Sequence, residues 1–156
     1  ALTWPIPSKL WIFERSYWGK RTMPHYDEQL FSPPAPVAAV SLRNPGDHTV
    51  VSDVPMLLDS GADVTLIPET FVSRIGADIR SHKTYELSGF DGHTAFAHAV
   101  HLDLIFLKRA FRGRFLVIDQ EWGILGRDIL NHIALLLDGP GLTWDEGELP
   151  EILKNP

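Results

Sequence analysis

The chain has 156 residues, of which 44% are hydrophobic and 22% are charged, so it is long enough and apolar enough to bury the core of one domain. Its formal net charge is −6 and it has no run of lysine and arginine, which argues against a nucleic-acid partner. The absence of cysteine excludes disulfides, thiolate metal sites and a cysteine nucleophile, and no apolar stretch approaches the roughly 20 residues of a membrane span.

Residues 1–35 are rich in proline and tryptophan, and we predict them to be an arm or linker before a domain at 36–156. The segment SPPAP at 32–36 predicts an extended, polyproline-like linker. Within the arm, prolines leave room for a helix only from Ser8 to about Trp18. We favour an aromatic arm that packs on its own domain or on a partner chain over a segment that docks at a membrane interface.

From residue 37 the pattern becomes that of strands separated by turns. The segments VAAVSL (37–42) and HTVVSDV (48–54) flank the turn NPGD and predict a hairpin. MLLD (56–59) predicts a separate, short apolar strand. PETFVSRIG (68–76) predicts one short helix, with Pro68 at its first position.

The second half of the chain continues the strand pattern. A second hairpin is predicted over 84–100 around a Gly-Phe-Asp-Gly tip, followed by strands at 101–107 and 112–118 with KRAF between them as a turn. GILG (123–126) predicts another strand, RDILNHIALLL (127–137) contains one short helix, and Gly-Pro-Gly (139–141) predicts a closing turn. Together these segments predict a barrel-like, all-β domain.

Asp59, followed by Ser60 and Gly61 at the end of an apolar strand, is the candidate for chemistry. A carboxylate can act as a general base on water, but one isolated aspartate cannot act as the acid as well. Two carboxylates about 3 Å apart share one proton, because like charges at that distance cannot both ionise. The ionised member then takes a proton from water while the protonated member polarises a carbonyl group.

The sequence holds one Asp-Ser-Gly and no Asp-Thr-Gly, so a single chain supplies half of such a dyad. A two-fold homodimer, in which the same loop of each subunit meets on the axis, would complete it. The prediction is therefore a homodimer that shares one site.

LLDSGAD (57–63) and GILGRDIL (123–130) resemble the two sequence signatures of the retropepsin-like aspartic proteases, the family of the retroviral proteases. Asp59 and Asp128 lie 69 residues apart, and the hairpin between them stands where that family has its flap. The resemblance covers about residues 36–138. It implies a single-lobe acid-protease barrel with a flap hairpin and one or two short helices, active as a two-fold homodimer on an extended polypeptide without a cofactor.

The resemblance also implies roles for individual residues. Asp59 matches the catalytic aspartate, and Ser60 matches the residue whose hydroxyl links the two active-site loops. Gly61 matches the residue whose carbonyl contacts the substrate backbone, and Ala62 matches a small residue that lines the cleft. Asp63 matches a carboxylate that binds the substrate main chain and is held by an arginine.

Other roles fall on the second signature and on the flap. Arg127, with Asp128, matches the segment that braces the site near the dimer interface. The flap tip, which would close over the substrate, comprises Gly89, Phe90, Asp91 and Gly92. The chain departs from the viral pattern at Val64, where several viral members have a second aspartate, and a more apolar specificity is expected there. The flap tip, with Asp91 and His93, is also more polar than the glycine-rich viral tip.

Three other interpretations stay open at this point. The domain could be a catalytically idle module for dimerisation or peptide binding, since fold alone does not determine function. It could be an autoprocessing fragment of a larger precursor, which the missing initiator methionine and the proline-rich linker suggest. Arg127 and Asp128 could be an ordinary surface pair at the start of a helix. His98 and His101 suggest a metal pair, but on a strand their spacing places them on opposite faces, so no metal is predicted.

Overall fold

Nine strands and two short helices make up the part of the chain that the computed structural model describes, residues 23–89 and 91–148. The strands of the first half are β1 (Val37–Arg43), β2 (Val50–Leu58), β3 (Leu66–Pro68) and β4 (Ile79–Ser88), with helix α1 (Glu69–Arg74) between the last two. The second half contains β5 (Thr94–Phe106), β6 (Arg109–Ile118), β7 (Gly123–Leu125), helix α2 (Arg127–Leu130), β8 (Leu135–Asp138) and β9 (Thr143–Glu146). The predicted helix at 8–18 and the rest of the arm up to residue 22 lie outside the described residues, as do Phe90 and residues 149–156.

The main sheet closes into a barrel of six strands. Its order is β1-β2-β7-β3-β6-β5-β4, and β1 also pairs with β5, which leaves β4 outside the closed ring as the partner of β5 alone. Alternate residues of these strands turn inward and form one apolar core, which includes Val40, Leu42, Met56, Leu102 and Leu104. The predicted all-β barrel with two short helices is confirmed. Neither of those helices is long and apolar enough to cross a membrane.

A bulge in β2 explains why its sequence suggested two strands. Val40 pairs with Val54 and Leu42 with Val51, so three steps along β2 match two along β1. The extra residue falls near Asp53, which has a φ of 60°. A bulge of this kind changes the phase of the inward and outward alternation. VVSDV (50–54) and MLL (56–58) are therefore parts of one continuous strand, and the separate strand predicted at 56–59 is wrong.

The connection between β5 and β6 is shorter than the four-residue turn predicted at 108–111. Only Leu107 and Lys108 lie between the strands, and their φ angles are 48° and 62°. A two-residue hairpin turn of this hand normally uses Asn-Gly or Asp-Gly, so Leu-Lys carries no recognisable turn pattern. Arg109, Ala110 and Phe111 belong to β6 instead.

The ends of the short elements also differ from the sequence-based prediction. The helix expected at 68–76 is present as α1, with Pro68 as its N-cap residue rather than its first helical residue. Helix α2 ends at Leu130, and the leucines at 135–137 form β8, which pairs with β9. A short apolar run fits a helix or a strand equally well, and the partner strand decides between them. The three-residue strand β3 was not predicted.

Residues 23–36 lie against the barrel's C-terminal hairpin and against the turn before β7. The Tyr26 amide donates to the Leu142 carbonyl at 2.7 Å, and the Trp144 amide donates to the Pro24 carbonyl at 3.0 Å. The Phe31 ring meets the Trp122 ring edge-on, with centroids 4.8 Å apart. The division between an arm at 1–35 and a domain at 36–156 stays a prediction.

Asp103 is a buried carboxylate in the barrel wall, on β5. Its neighbours across the strands are Arg43 on β1 and Arg112 on β6, and both guanidinium groups donate to it at 2.7–3.0 Å. The hydrogen bonds from Arg112, with those from Arg43, outweigh burial and lower the pKa of Asp103 from 3.8 to about 2. The carboxylate therefore ties three strands of the closed barrel together.

Candidate active site

The strand order places Asp59 directly beside the end of β7. Strands β2 and β7 are parallel, with Leu58 opposite Leu125, and β3 runs antiparallel on the other side of β7. The chain between β2 and β3 must therefore cross the carboxyl end of β7. The Asp59 amide donates to the Leu125 carbonyl at 3.1 Å, which extends the β2–β7 ladder by one residue into the loop.

The Asp59 loop is held by hydrogen bonds within itself. The Gly61 amide donates to Asp59 Oδ1 at 2.9 Å, and the Ala62 amide donates to the Asp59 carbonyl at 3.2 Å. A Cβ on Gly61 would lie 3.1 Å from Asp59 Oδ1, so a side chain there would press on the carboxylate. Asp59 is half-buried and Ser60 is exposed, so the carboxylate remains accessible at the end of the barrel.

Arg127 joins the second signature to this loop. Its amide donates to the Ala62 carbonyl at 2.9 Å, and Nη1 donates to the Ser60 and Gly61 carbonyls at 2.9 and 3.1 Å. Nη2 forms an ion pair with the Asp63 carboxylate. One guanidinium thus contacts three residues of the loop, Ser60, Gly61 and Asp63, which an ordinary surface pair at the start of a helix would not do.

Thr65 forms a second link between the chain that follows the Asp59 loop and the segment from Gly126 to Asp128. Its side chain is 0% exposed, its hydroxyl donates to Asp128 Oδ1 at 2.6 Å, and the Gly126 amide donates to that hydroxyl at 3.1 Å. The Thr65 amide donates to Asp128 Oδ2 at 3.0 Å. A Cβ on Gly126 would come within 2.5 Å of the Val64 backbone, so only glycine allows the two segments to approach this closely. Thr65 was not among the predicted site residues, because one threonine before a short strand has no pattern that marks a buried hydroxyl.

The hairpin predicted over 84–100 is present and is formed by β4 and β5. At its tip the Gly89 amide donates to the His93 carbonyl at 3.0 Å, and the His93 amide donates to Asp91 Oδ1 at 3.0 Å. Gly92 has a φ of 77°, which favours glycine. Among the described residues, no hydrogen bond or ion pair joins this tip to the Asp59 loop. The structure thus brings residues 60–63 together with Arg127, and it joins Asp128 to Thr65.

The site fits acid–base chemistry by carboxylates. No group of three or more histidine, aspartate or glutamate side chains suitable for a metal ion occurs in the described ranges. His98 and His101 both lie on β5 with exposed side chains. The half-buried Asp59, on a loop fixed from two sides, is a carboxylate that could activate water.

The sequence model of a family described as aspartyl protease matches residues 44–129, more than half of the chain. This chain belongs to the aspartyl protease family. The matched range contains both the Asp59 loop and the Gly126–Arg127 segment.

A solved structure of EIAV protease, a retroviral protease, complexed with the inhibitor HBY-793 is similar to this chain. The two are 26% identical with a TM-score of 0.50, and the match covers 63% of this chain and 86% of the viral one. No curated protein matches this chain by sequence. The predicted resemblance to the retropepsin-like proteases is confirmed.

Proposed function

We propose that the protein is an aspartic endopeptidase whose active form is a two-fold homodimer, with one Asp59 from each subunit in a shared dyad. Membership of the aspartyl protease family supports the peptidase activity in general. The dyad, the dimer and the roles of individual residues are the finer parts of the proposal.

The dimer is inferred from the contacts that the other carboxylates at the site already make. Asp63 is paired with Arg127, and Asp128 accepts hydrogen bonds from the amide and hydroxyl of Thr65. Each already has a donor, and in the described residues no hydrogen bond joins either carboxylate to that of Asp59. Within the described part of one chain, the second carboxylate of a dyad is therefore lacking, and a second copy would supply it.

In the proposed mechanism the two Asp59 carboxyl groups hold one proton between them. The ionised group takes a proton from a water molecule, whose oxygen attacks the carbonyl carbon of the peptide bond. The protonated group donates a hydrogen bond to the carbonyl oxygen and stabilises the negative charge that develops there. The first carboxyl group then gives the proton that it took from water to the amide nitrogen as the C–N bond breaks, which releases the two peptide ends and restores one shared proton. The reaction needs one ionised and one protonated carboxyl group at the same time, so the activity should have a bell-shaped pH profile on the acid side of neutral.

The substrate would bind in an extended conformation between the Asp59 loop and the β4–β5 hairpin. Gly61 and Ala62, which have little or no side chain, would let the substrate backbone approach, and Asp63 would bind its main chain. The hairpin would add its edge to the substrate as a neighbouring strand does. Its tip would close over the peptide through residues Gly89, Phe90, Asp91 and Gly92.

The edge of β8 is where we place the second copy. Leu136 and Leu137 are 51% and 54% exposed, and in the described residues β8 pairs with β9 alone. An open strand edge with exposed leucines can pair with the same edge of a second copy across a two-fold axis. Strand β8 follows α2 closely, so this contact would lie near Arg127 and the Asp59 loop.

Asp59→Asn tests the activity, with Asp119→Asn, at an exposed position, as the matched control. Both variants and the unmodified protein are incubated with a diverse peptide pool from pH 3 to 7, and the cuts are mapped by mass spectrometry. We expect cleavage by the unmodified protein and by Asp119→Asn, and none by Asp59→Asn. Equal cleavage by all three would contradict a catalytic role for Asp59.

A mixing experiment tests the shared dyad. After subunit exchange, an equal amount of Asp59→Asn should reduce the activity of a fixed amount of unmodified protein to about half, since random pairing places half of the active chains in mixed dimers. A threefold excess should reduce it to about a quarter. Activity that does not fall on mixing would rule out the shared dyad, and Asp119→Asn serves as the neutral partner in the control.

A further inference from the structure

We infer that Phe96 and Glu86 form a substrate subsite on the underside of the β4–β5 hairpin that prefers an arginine or lysine side chain. The inference rests on the proposed function, because it takes this hairpin as the cover over a bound peptide. It adds that this hairpin binds a basic side chain of the peptide.

Phe96 is an exposed aromatic residue on the inward face of a strand. It is 72% exposed, more than any other large apolar side chain in the described residues. Alternation along β5 places it on the same face as Val100, Leu102 and Leu104, which belong to the core. Phe96 therefore faces the same way as the core residues, but it lies on the part of the hairpin that extends beyond the core.

Glu86 lies directly opposite Phe96 in the β4–β5 register, and its side chain is exposed. Opposed residues of an antiparallel pair share a face, with Cβ atoms about 5 Å apart. The neighbouring pairs on this face, Ser88 with Thr94 and Thr84 with His98, carry no large apolar side chain. One phenyl ring and one carboxylate thus stand side by side on an otherwise polar surface.

A long cationic side chain suits both groups at once. The methylene stem of arginine or lysine can lie on the ring, while its charge contacts the ring face and the carboxylate. A glutamate side chain of the substrate would be repelled by Glu86, and a leucine side chain of the substrate would contact only the Phe96 ring. The outer face of the same hairpin already holds such a contact, with the Arg114 guanidinium 5.3 Å from the centroid of the Tyr85 ring.

His98 lies on the same face, in the next pair towards the barrel, at a diagonal position to Glu86. In the described residues no hydrogen bond or ion pair joins His98 to Glu86. The Glu86 carboxylate is therefore not engaged by this histidine.

The test is a digest of a peptide library that is randomised around the cut, followed by kinetics on the best sequence and on versions with Arg replaced by Glu. The unmodified protein should prefer arginine or lysine at one fixed position by roughly three- to tenfold over glutamate. Glu86→Gln should abolish most of that preference, and Glu86→Lys should reverse it. Phe96→Ala should lower kcat/KM for the basic peptide, whereas Leu87→Ala, on the opposite face of the same hairpin, should not.

Binding to Asp59→Asn separates this inference from the proposed function. Fluorescence anisotropy with the same labelled peptides measures their affinity without any cleavage. If the unmodified protein cuts nothing but Asp59→Asn binds the arginine peptide more tightly in a manner that depends on Glu86, the subsite stands and the endopeptidase proposal falls. A preference that is absent, or unchanged in both Glu86 variants, overturns the subsite.

Discussion

Thr65 shows how a single hydroxyl holds the two halves of the candidate site together. It is the buried contact among the Asp128 carboxylate, the Gly126 amide and the strand that follows the Asp59 loop. Buried polar groups that lose their partner keep the cost of leaving water without the compensating hydrogen bond. The position of Asp59 therefore depends on a residue that takes no part in the proposed chemistry.

Thr65→Val keeps the shape of the side chain and removes this hydroxyl. We expect the free energy of unfolding to fall by about 1–3 kcal/mol, because the buried Gly126 amide and one partly buried Asp128 oxygen lose their partner. Urea denaturation measures the change, with Thr65→Ser as the control that retains the hydroxyl. If Thr65→Val is at least as stable as Thr65→Ser, the hydrogen bonds are not what matters at this position.

The contacts of Asp103 predict how the stability of the barrel changes as the pH falls. Its pKa in the folded protein, about 2, lies below the ordinary value of 3.8, so the charged form stabilises the fold above that ordinary value. This contribution, about 2 kcal/mol, is lost as the pH falls through the folded-state pKa. Asp103→Asn should therefore be much less stable than the unmodified protein at pH 6, and the difference should shrink towards pH 2. A difference in stability that is the same at pH 2 and at pH 6 would contradict the stabilising role of the Asp103 charge.

At the scale of single elements, the β5–β6 turn carries conformational strain. Lys108 is exposed and has a φ of 62°, a conformation that residues other than glycine and asparagine adopt at a cost. Lys108→Asn should raise the free energy of unfolding by about 1 kcal/mol, because asparagine tolerates this conformation. Thermal denaturation measures the gain. Lys108→Ala, which removes the charge and keeps the strain, should give none.

The same elements show what the sequence could and could not predict. The Asp59 heptapeptide, the second signature and the hairpin between them have local patterns, and these indicated the family, the barrel and α1. The bulge near Asp53, the Leu107–Lys108 turn and the β8–β9 pairing depend on contacts between distant parts of the chain. Thr65 was missed for the same reason, since its partners lie more than 60 residues away. Pairing across that distance leaves no periodic trace in one sequence.

At the scale of the whole molecule, the proposed activity depends on association of two chains. The edge of β8 is open in the described residues, and a two-stranded sheet such as β8–β9 is marginal without a further partner. The buried Trp144, whose Nε1 donates to the Val37 carbonyl at 3.1 Å, anchors β9 to the barrel and leaves β8 on the outside. Pairing of two β8 edges would bury the leucines of both copies.

Replacement of both Leu136 and Leu137 by asparagine should weaken the dimer while the barrel stays folded. Each substitution is repeated by the two-fold symmetry, so the dissociation constant should rise at least about tenfold. Analytical ultracentrifugation measures the dimer, and the concentration dependence of peptide cleavage should shift by the same factor. Val50→Asn, at an apolar residue of similar exposure on β2, is the control and should leave the dimer unchanged. If the double variant dimerises as tightly as the control, the second copy binds elsewhere, and the shared dyad must be assembled through another surface.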